Sequence, residues 1–284
     1  MNAKSSRSDQ PELWSRGRIR CRDVEVRRTG HGRLEVTEIK VDTPSHRPLP
    51  PDELIWRVTG TRDRAHFDTS GRESVADIRR ALASVGAALE DFTSILDFGC
   101  GSGRVLRWLD ALPDQVDLVG CDIDSEAIGW VRDNVSGVQV VANDERPPLP
   151  FASDSFDLIY NHSVFTHLPE SYQDAWLSEL ARVARPGALL LLSVSGDHPF
   201  EGFLESWRAA GADPGHWEAM YREAGIVYIE DDSWQGGPFP DFYHSTFHAP
   251  WYVFEHWQKF LRIRAYLVRG ALGFQDIAVF EPLS

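Results

Sequence analysis

Apolar runs and amphipathic stretches alternate through the middle of the chain. SILDFG, VDLVGCD, VQVVAND, FDLIYNHSV and ALLLLSVSG predict strands. Between them, SEAIGWVRDNV and YQDAWLSELARVA carry apolar residues at helical spacing, and 105–112 predicts a short helix. This alternation predicts an α/β fold, a mostly parallel sheet with helices on both faces. The apolar stretch 188–192 fits a central strand covered on both sides. Later come a helix at about 250–260 and strands at IRAYLV and QDIAVF. The short connection between those two strands implies one antiparallel strand, expected at the sheet edge.

Upstream, 52–91 reads as helical. Within 74–89, Val75, Ile78, Leu82, Val85 and Leu89 form one apolar face, with Ser70 and Gly71 as capping residues. RIRCRDVEVRR and RLEVTEIKV flank a TGHG turn and predict a β-hairpin. Pro44, Pro48, Pro50 and Pro51 then form a connector, and residues 1–12 read as a tail. The segment 197–247, with Trp207, Trp217, Trp234, several glycines, Pro238 and Pro240, interrupts the pattern and reads as a lid inserted after the fifth strand. The expected organisation is therefore an extension over 1–51 and one domain over 52–284.

Charge narrows the partners. The 284 residues hold 29 Lys/Arg and 43 Asp/Glu, a net charge of −14, which argues against nucleic acid. Residues 1–40 alone carry ten basic and six acidic side chains, a basic arm that reads as a solvated segment. Cys21, Cys100 and Cys121 form no CxxC pair, so neither a disulfide framework nor a zinc site is expected. The start of the chain is polar and no apolar run is long enough to span a bilayer, so a cytoplasmic protein without membrane contact is expected.

The candidate chemistry lies at Leu96-Asp97-Phe98-Gly99-Cys100-Gly101-Ser102-Gly103-Arg104. A strand runs into a glycine loop, which lets backbone amides approach a ligand at the carboxyl end of the sheet. A dinucleotide loop, GxGxxG, would need its third glycine at 104, where Arg104 stands. The observed order is Asp97-x-Gly99-x-Gly101-x-Gly103. It resembles motif I of the class I S-adenosylmethionine (SAM) methyltransferases, a family with a Rossmann-like seven-stranded sheet and an antiparallel last strand. The resemblance extends over roughly 50–281. It includes Gly120-Cys121-Asp122 ending the next strand, Asn143-Asp144 ending the third, PLPFASDSFDLIYNHSVF around the fourth and Arg185-Pro186-Gly187 before the fifth. RVTGTRDRAHFDTSGR, YHSTFHAPWYVFEHW and GALGFQDIAVF also resemble a bacterial subgroup of small-molecule methyltransferases.

The resemblance implies SAM as cofactor. Asp97 with Gly99, Cys100, Gly101 and Gly103 would hold its amino-acid end, Asp122 its ribose hydroxyls, and Ile123, Asn143 and Asp144 its adenine, with Asn161 and Ser163 also at the cofactor. Arg57 or Arg72 is a candidate clamp on the methionine carboxylate, and Phe67 a lid candidate. After the fourth strand the chain reads Asn161-His162-Ser163-Val164, not the (Asn/Asp)-Pro-Pro-(Tyr/Phe) of enzymes that methylate base amines. Asp157 and Asn161 are only a distant echo of a catechol-type magnesium site, and no metal is expected. His162, His167, His244 and His248 are base candidates, the last two sharing a face if their segment is a strand. Aromatic residues between Trp207 and Trp257 divide between core and acceptor pocket. The expected activity is methyl transfer to a small molecule, oxygen favoured over nitrogen, on a natural-product or sugar-type scaffold. A non-catalytic SAM-fold binding protein, a nucleotide-cofactor oxidoreductase and a macromolecular substrate remain alternatives.

Overall fold

The computed structural model describes residues 24–28, 34–38, 47–109, 112, 115–230 and 239–283. The chain falls into two units, 1–46 and 47–284. In the first, β1 (Val24–Arg28) and β2 (Leu34–Glu38) pair antiparallel, with Val26 opposite Val36. The expected tail at 1–12, Cys21, the TGHG turn, Trp234 and Pro238 lie outside the described residues. Residues 47–51 of the connector pack on the second unit. Arg47 lies over the Trp108 ring (4.7 Å), Arg107 donates to the Arg47 carbonyl, and Pro50 is buried.

The second unit opens with α1 (Asp52–Thr59) and α2 (Arg64–Ser84). Asp63 caps α2 by accepting the amides of Ala65 and His66, so the helix starts earlier than expected and Ser70 and Gly71 lie buried inside it. Strands and helices then alternate: β3 (Ser94–Phe98), β4 (Asp117–Asp122), α3 (Ser125–Asn134), β5 (Gln139–Ala142), β6 (Phe156–Tyr160), α4 (Glu170–Val183) and β7 (Ala184–Val194). The helix expected at 105–112 is only a 3-10 turn, Leu106–Trp108. Next come α5 (Asp197–Ala209), α6 (Gly215–Ala224), β8 (Ile226–Ile229), β9 (Ser245–His248), α7 (Pro250–His256), β10 (Leu261–Ala271) and β11 (Gln275–Pro282).

The seven-stranded sheet has the order β10-β11-β7-β6-β3-β4-β5. The five strands from β7 to β5 are parallel, and β11 runs antiparallel to both β7 and β10. The antiparallel strand is thus second from the edge, not at it, because β10 continues outward beyond it. Covered on both faces, the inner strands are mainly apolar, and every residue of β3 is buried, Ser94 and Asp97 included. One face packs on α4 and α7 through Trp176, Leu180, Tyr252 and Val253. The other packs on α2 and α3 through Ile78, Leu82, Ile128 and Val131.

The insertion after β7 has its own small core of Phe200, Leu204, Val227, Ile229 and Phe247, and β8 and β9 pair into a separate two-stranded sheet. Among the described residues no helix is long and apolar enough to cross a membrane, and no cluster of three or more His, Cys, Asp or Glu is placed to hold a metal ion.

Candidate functional site

The carboxyl ends of β3 and β4 lie side by side, since Phe98 pairs with Cys121 in parallel register. The chain leaving β3 must turn at once, and Gly99, Gly101 and Gly103 all take positive φ (81°, 51° and 76°), which other residues adopt only with strain. Close packing makes a second demand. A Cβ on Gly99 would stand 2.2 Å from Val164, and one on Gly101 would stand 2.6 Å from Val58 of α1. The loop is therefore a bare backbone surface held between α1 and the segment after β6. Because only a 3-10 turn follows, its ligand-binding capacity rests on loop amides and carboxylates rather than on a helix N-terminus.

Asp122 ties the two strand ends together. The Gly101 amide donates to its Oδ2 (2.7 Å) and the Asp124 amide to its Oδ1 (2.9 Å). Burial outweighs these bonds and raises its pKa to about 6. Asp97 is buried more deeply, at 2% exposure, and accepts the Tyr160 hydroxyl at 2.9 Å. Burial raises its pKa to about 7, while the Tyr160 bond and the Arg104 charge pull the other way. Both carboxylates thus sit near their titration points, suited to cationic or hydroxylic groups.

The other expected cofactor positions surround this pair. Ile123 is half-buried just after β4. The Asn143 amide nitrogen of the backbone donates to the Asp122 carbonyl, the Asn143 side chain donates to the Asp144 carbonyl, and Asp144 is exposed. Cys100 is buried beneath the loop. Beyond β6, Asn161 Oδ1 accepts the Ser193 amide (2.8 Å). Ser163 holds a left-handed backbone (φ 63°), its amide donating to Ser193 Oγ and its hydroxyl to Gln275 Oε1. Arg72 is half-buried on α2 and Phe67 fully buried there, so Phe67 is core rather than lid. Arg57 is engaged by Asp124 and Glu126, each at 2.9 Å, which removes it as a clamp.

The four histidines have different surroundings. His162 is half-buried, and burial together with the Arg104 charge holds its pKa well below the usual value. His167 Nδ1 meets the His244 carbonyl at 3.0 Å, and its ring stacks on Tyr243. A carbonyl only accepts, so Nδ1 carries the proton and Nε2 is the basic nitrogen of the neutral ring. His244 lies just before β9, edge-on to Tyr228. His248 is completely buried, with Nε2 on Gln173 Oε1, and burial lowers its pKa to about 3. His248 is therefore a packing residue.

Among the aromatic residues, Tyr252 and Trp257 are core, and Trp217 and Phe247 belong to the insertion's own core. Trp56, Phe239, Tyr243 and His167 instead form a continuous run of ring contacts, and burial, with a further contribution from the Asp122 charge, raises the Tyr243 pKa. Sequence reasoning missed Tyr160 and Gln275, and included Tyr243 only among the aromatic residues to be divided between core and acceptor pocket. It also treated Arg104 only as a missing glycine, although this arginine is 6% exposed and charge-coupled to Asp97. Only the position of Tyr160 at the end of the strand beside β3 hinted at its contact with Asp97.

The donor and acceptor set fits SAM. Two carboxylates at the loop and the neighbouring strand end match an ammonium and a ribose. Comparison with known proteins agrees. Residues 96–192 match the family described as a methyltransferase domain. A fatty-acid O-methyltransferase of Mycolicibacterium smegmatis is 33% identical over 99 residues, 34% of this chain and 35% of that protein. A malonyl-[acyl-carrier protein] O-methyltransferase of Enterobacter lignolyticus is 28% identical over 47% of this chain and 51% of its own length. The chain thus spans a third to a half of these curated relatives. The solved DhpI–S-adenosylhomocysteine complex shares the fold, with a TM-score of 0.50 and 14% identity over 81% of this chain and 95% of that one. Residues 96–192 are thus a methyltransferase domain, and the chain is similar in sequence and fold to the class I SAM-dependent methyltransferases, whose cofactor is S-adenosyl-L-methionine.

Proposed function

We propose that this protein transfers the methyl group of SAM to a small-molecule acceptor and releases S-adenosylhomocysteine. The observation that carries this is the linkage of glycine loop and strand end through the Gly101 amide on Asp122. It sets a ribose-binding carboxylate beside the loop that Asp97 anchors. SAM, when bound, supplies a sulfonium methyl already activated for in-line displacement. The chain's own work is to hold, orient and exclude water. Asp97 accepts the ammonium and Asp122 the ribose hydroxyls, while Ile123, Asn143 and Asp144 face the adenine and Asn161 and Ser163 close the side toward β6.

Oxygen is the favoured acceptor atom. The names of the two curated relatives, a fatty-acid and a malonyl-carrier-protein O-methyltransferase, support a small O-acceptor. The insertion's aromatic content supports a natural-product or sugar-type scaffold. Of the histidines, His167 suits a base best, because its Nε2 is the basic nitrogen. His162, with so weak a hold on a proton, suits accepting a hydrogen bond. The acidic charge supports a reaction away from nucleic acid, and we place it in the cytoplasm.

Calorimetric titration with SAM and, in parallel, NADPH tests the cofactor, with Asp122→Ala as control. Micromolar SAM binding that disappears in Asp122→Ala is the expected result. A folded protein that ignores SAM overturns the proposal, and NADPH binding in its place would make it an oxidoreductase. Turnover in an acceptor screen separates an enzyme from a binding protein, and His167→Gln then tests the base.

A further inference from the structure

Ser163 holds a conformation that its residue type does not favour. Its φ of 63° is left-handed, where a side chain is strained. Such strain persists only where the surroundings over-determine it, and it gathers at functional sites. Three strands fix this residue. β6 ends at Tyr160, just before it. From β7, Ser193 Oγ accepts the Ser163 amide at 2.7 Å, while the Ser193 amide donates to Asn161 Oδ1 at 2.8 Å. From β11, Gln275 Oε1 accepts the Ser163 hydroxyl at 3.0 Å. Gln275 is 8% exposed and opens its strand directly after the turn from Ala271, outside the segment 96–192 that matches a methyltransferase domain.

The turn at Ser163 delivers Val164 onto the glycine loop. A Cβ on Gly99 would stand 2.2 Å from Val164 Cγ2, so this side chain fills the space over bare backbone. Gly99 in turn is tied to β4, its amide donating to the Cys121 carbonyl at 2.8 Å, one residue before Asp122. Moving Ser163 into the right-handed or extended region would re-aim Val164 and release the loop at this point. A loop held in one form before its ligand arrives spares the ligand the cost of ordering it.

We infer that Gln275 is a positioning residue for the cofactor loop. By holding the Ser163 hydroxyl it keeps the left-handed turn, and through Val164 it keeps the glycine loop in the form that receives the cofactor. This rests on the methyltransferase reading of that loop.

Glycine adopts a φ of 63° without help, so Ser163→Gly removes the need for Gln275 while leaving β11 intact. Wild type, Gln275→Leu, Ser163→Gly and the double variant are titrated calorimetrically with S-adenosylhomocysteine. Gln275→Leu is expected to weaken binding roughly three- to tenfold with serine at 163 and less than about twofold with glycine there. Equal losses in the two backgrounds would make Gln275 a packing residue of the hairpin, and no loss with serine would deny it any role; either result overturns the inference. Failure of wild type to bind S-adenosylhomocysteine would sink the methyltransferase reading and this inference with it. Should Gln275→Leu fail to fold by circular dichroism, Gln275→Met carries the same comparison in both backgrounds.

Discussion

Replacing Asp97 with asparagine separates what this carboxylate costs the fold from what it gives the cofactor. An aspartate titrates at 3.8 when unperturbed and at about 7 in this buried position. At 1.36 kcal/mol per pH unit, ionising Asp97 costs the unliganded fold roughly 4 kcal/mol once the pH exceeds both values. The sign follows from proton counting. Between pH 3.8 and about 7 the unfolded chain has released the proton while the folded chain keeps it, so stability is greatest at low pH and falls as the pH rises through that window. The asparagine side chain cannot ionise, yet its oxygen can still accept the Tyr160 hydroxyl. Urea denaturation of Asp97→Asn against wild type should show the variant gaining roughly 3 kcal/mol between pH 5 and pH 8. The smaller decline from Asp122, which titrates at about 6, remains in both proteins. Cofactor binding should move the opposite way. Loss of a charged hydrogen bond of about 1.5–3 kcal/mol weakens S-adenosylhomocysteine roughly tenfold to a hundredfold. A stability difference that stays constant with pH, or undiminished cofactor affinity, would refute the account of Asp97.

Crowding at the loop can be separated from backbone strain. Gly101→Ala should lose about 1–3 kcal/mol in denaturation, from its φ of 51° and from a Cβ 2.6 Å from Val58, whereas Gly137→Ala, with φ 76° and nothing within 4 Å, should lose only the strain part; equal losses would mean that α1 does not press on the loop. His248 has the opposite pH signature to Asp97. Its pKa falls from 6.5 to about 3, so its contribution is present above pH 6.5 and is lost as the pH drops toward 3, amounting to roughly 4–5 kcal/mol at the acid end. His248→Leu should therefore flatten the wild-type decline between pH 6 and pH 4, at a constant cost of about 1–2 kcal/mol for the unpaired Gln173, and an unchanged acid slope would show that His248 does not titrate there.

The cofactor side was legible in the sequence because its constraints are local. A strand running straight into a turn needs glycines, and a carboxylate at the end of the neighbouring strand falls at a predictable distance along the chain. Features that depend on distant parts of the chain were not legible. Tyr160 meets Asp97 only because β6 pairs with β3. The place of β11 between β7 and β10 is a matter of pairing order, which periodicity does not encode. The start of α2 at Arg64 depends on an Asp63 cap set among polar residues, where no apolar pattern marks the boundary. The 3-10 turn in place of a helix after the loop follows from tertiary packing rather than from propensity.

The same contrast bears on the acceptor. The family match ends at residue 192, inside β7, and the insertion begins at Asp197. Cofactor chemistry dictates residue types at the ends of β3 and β4, so proteins with different acceptors can resemble one another there. The insertion must chiefly bury Phe200, Leu204, Val227, Ile229 and Phe247 against one another, a demand that many sequences satisfy. Similarity within 96–192 therefore identifies the methyl donor. Under the proposed function, the choice of acceptor falls to the insertion and to the ring contacts from Trp56 through Phe239 to Tyr243, which lie outside the matched segment and have to be read from this chain's own residues.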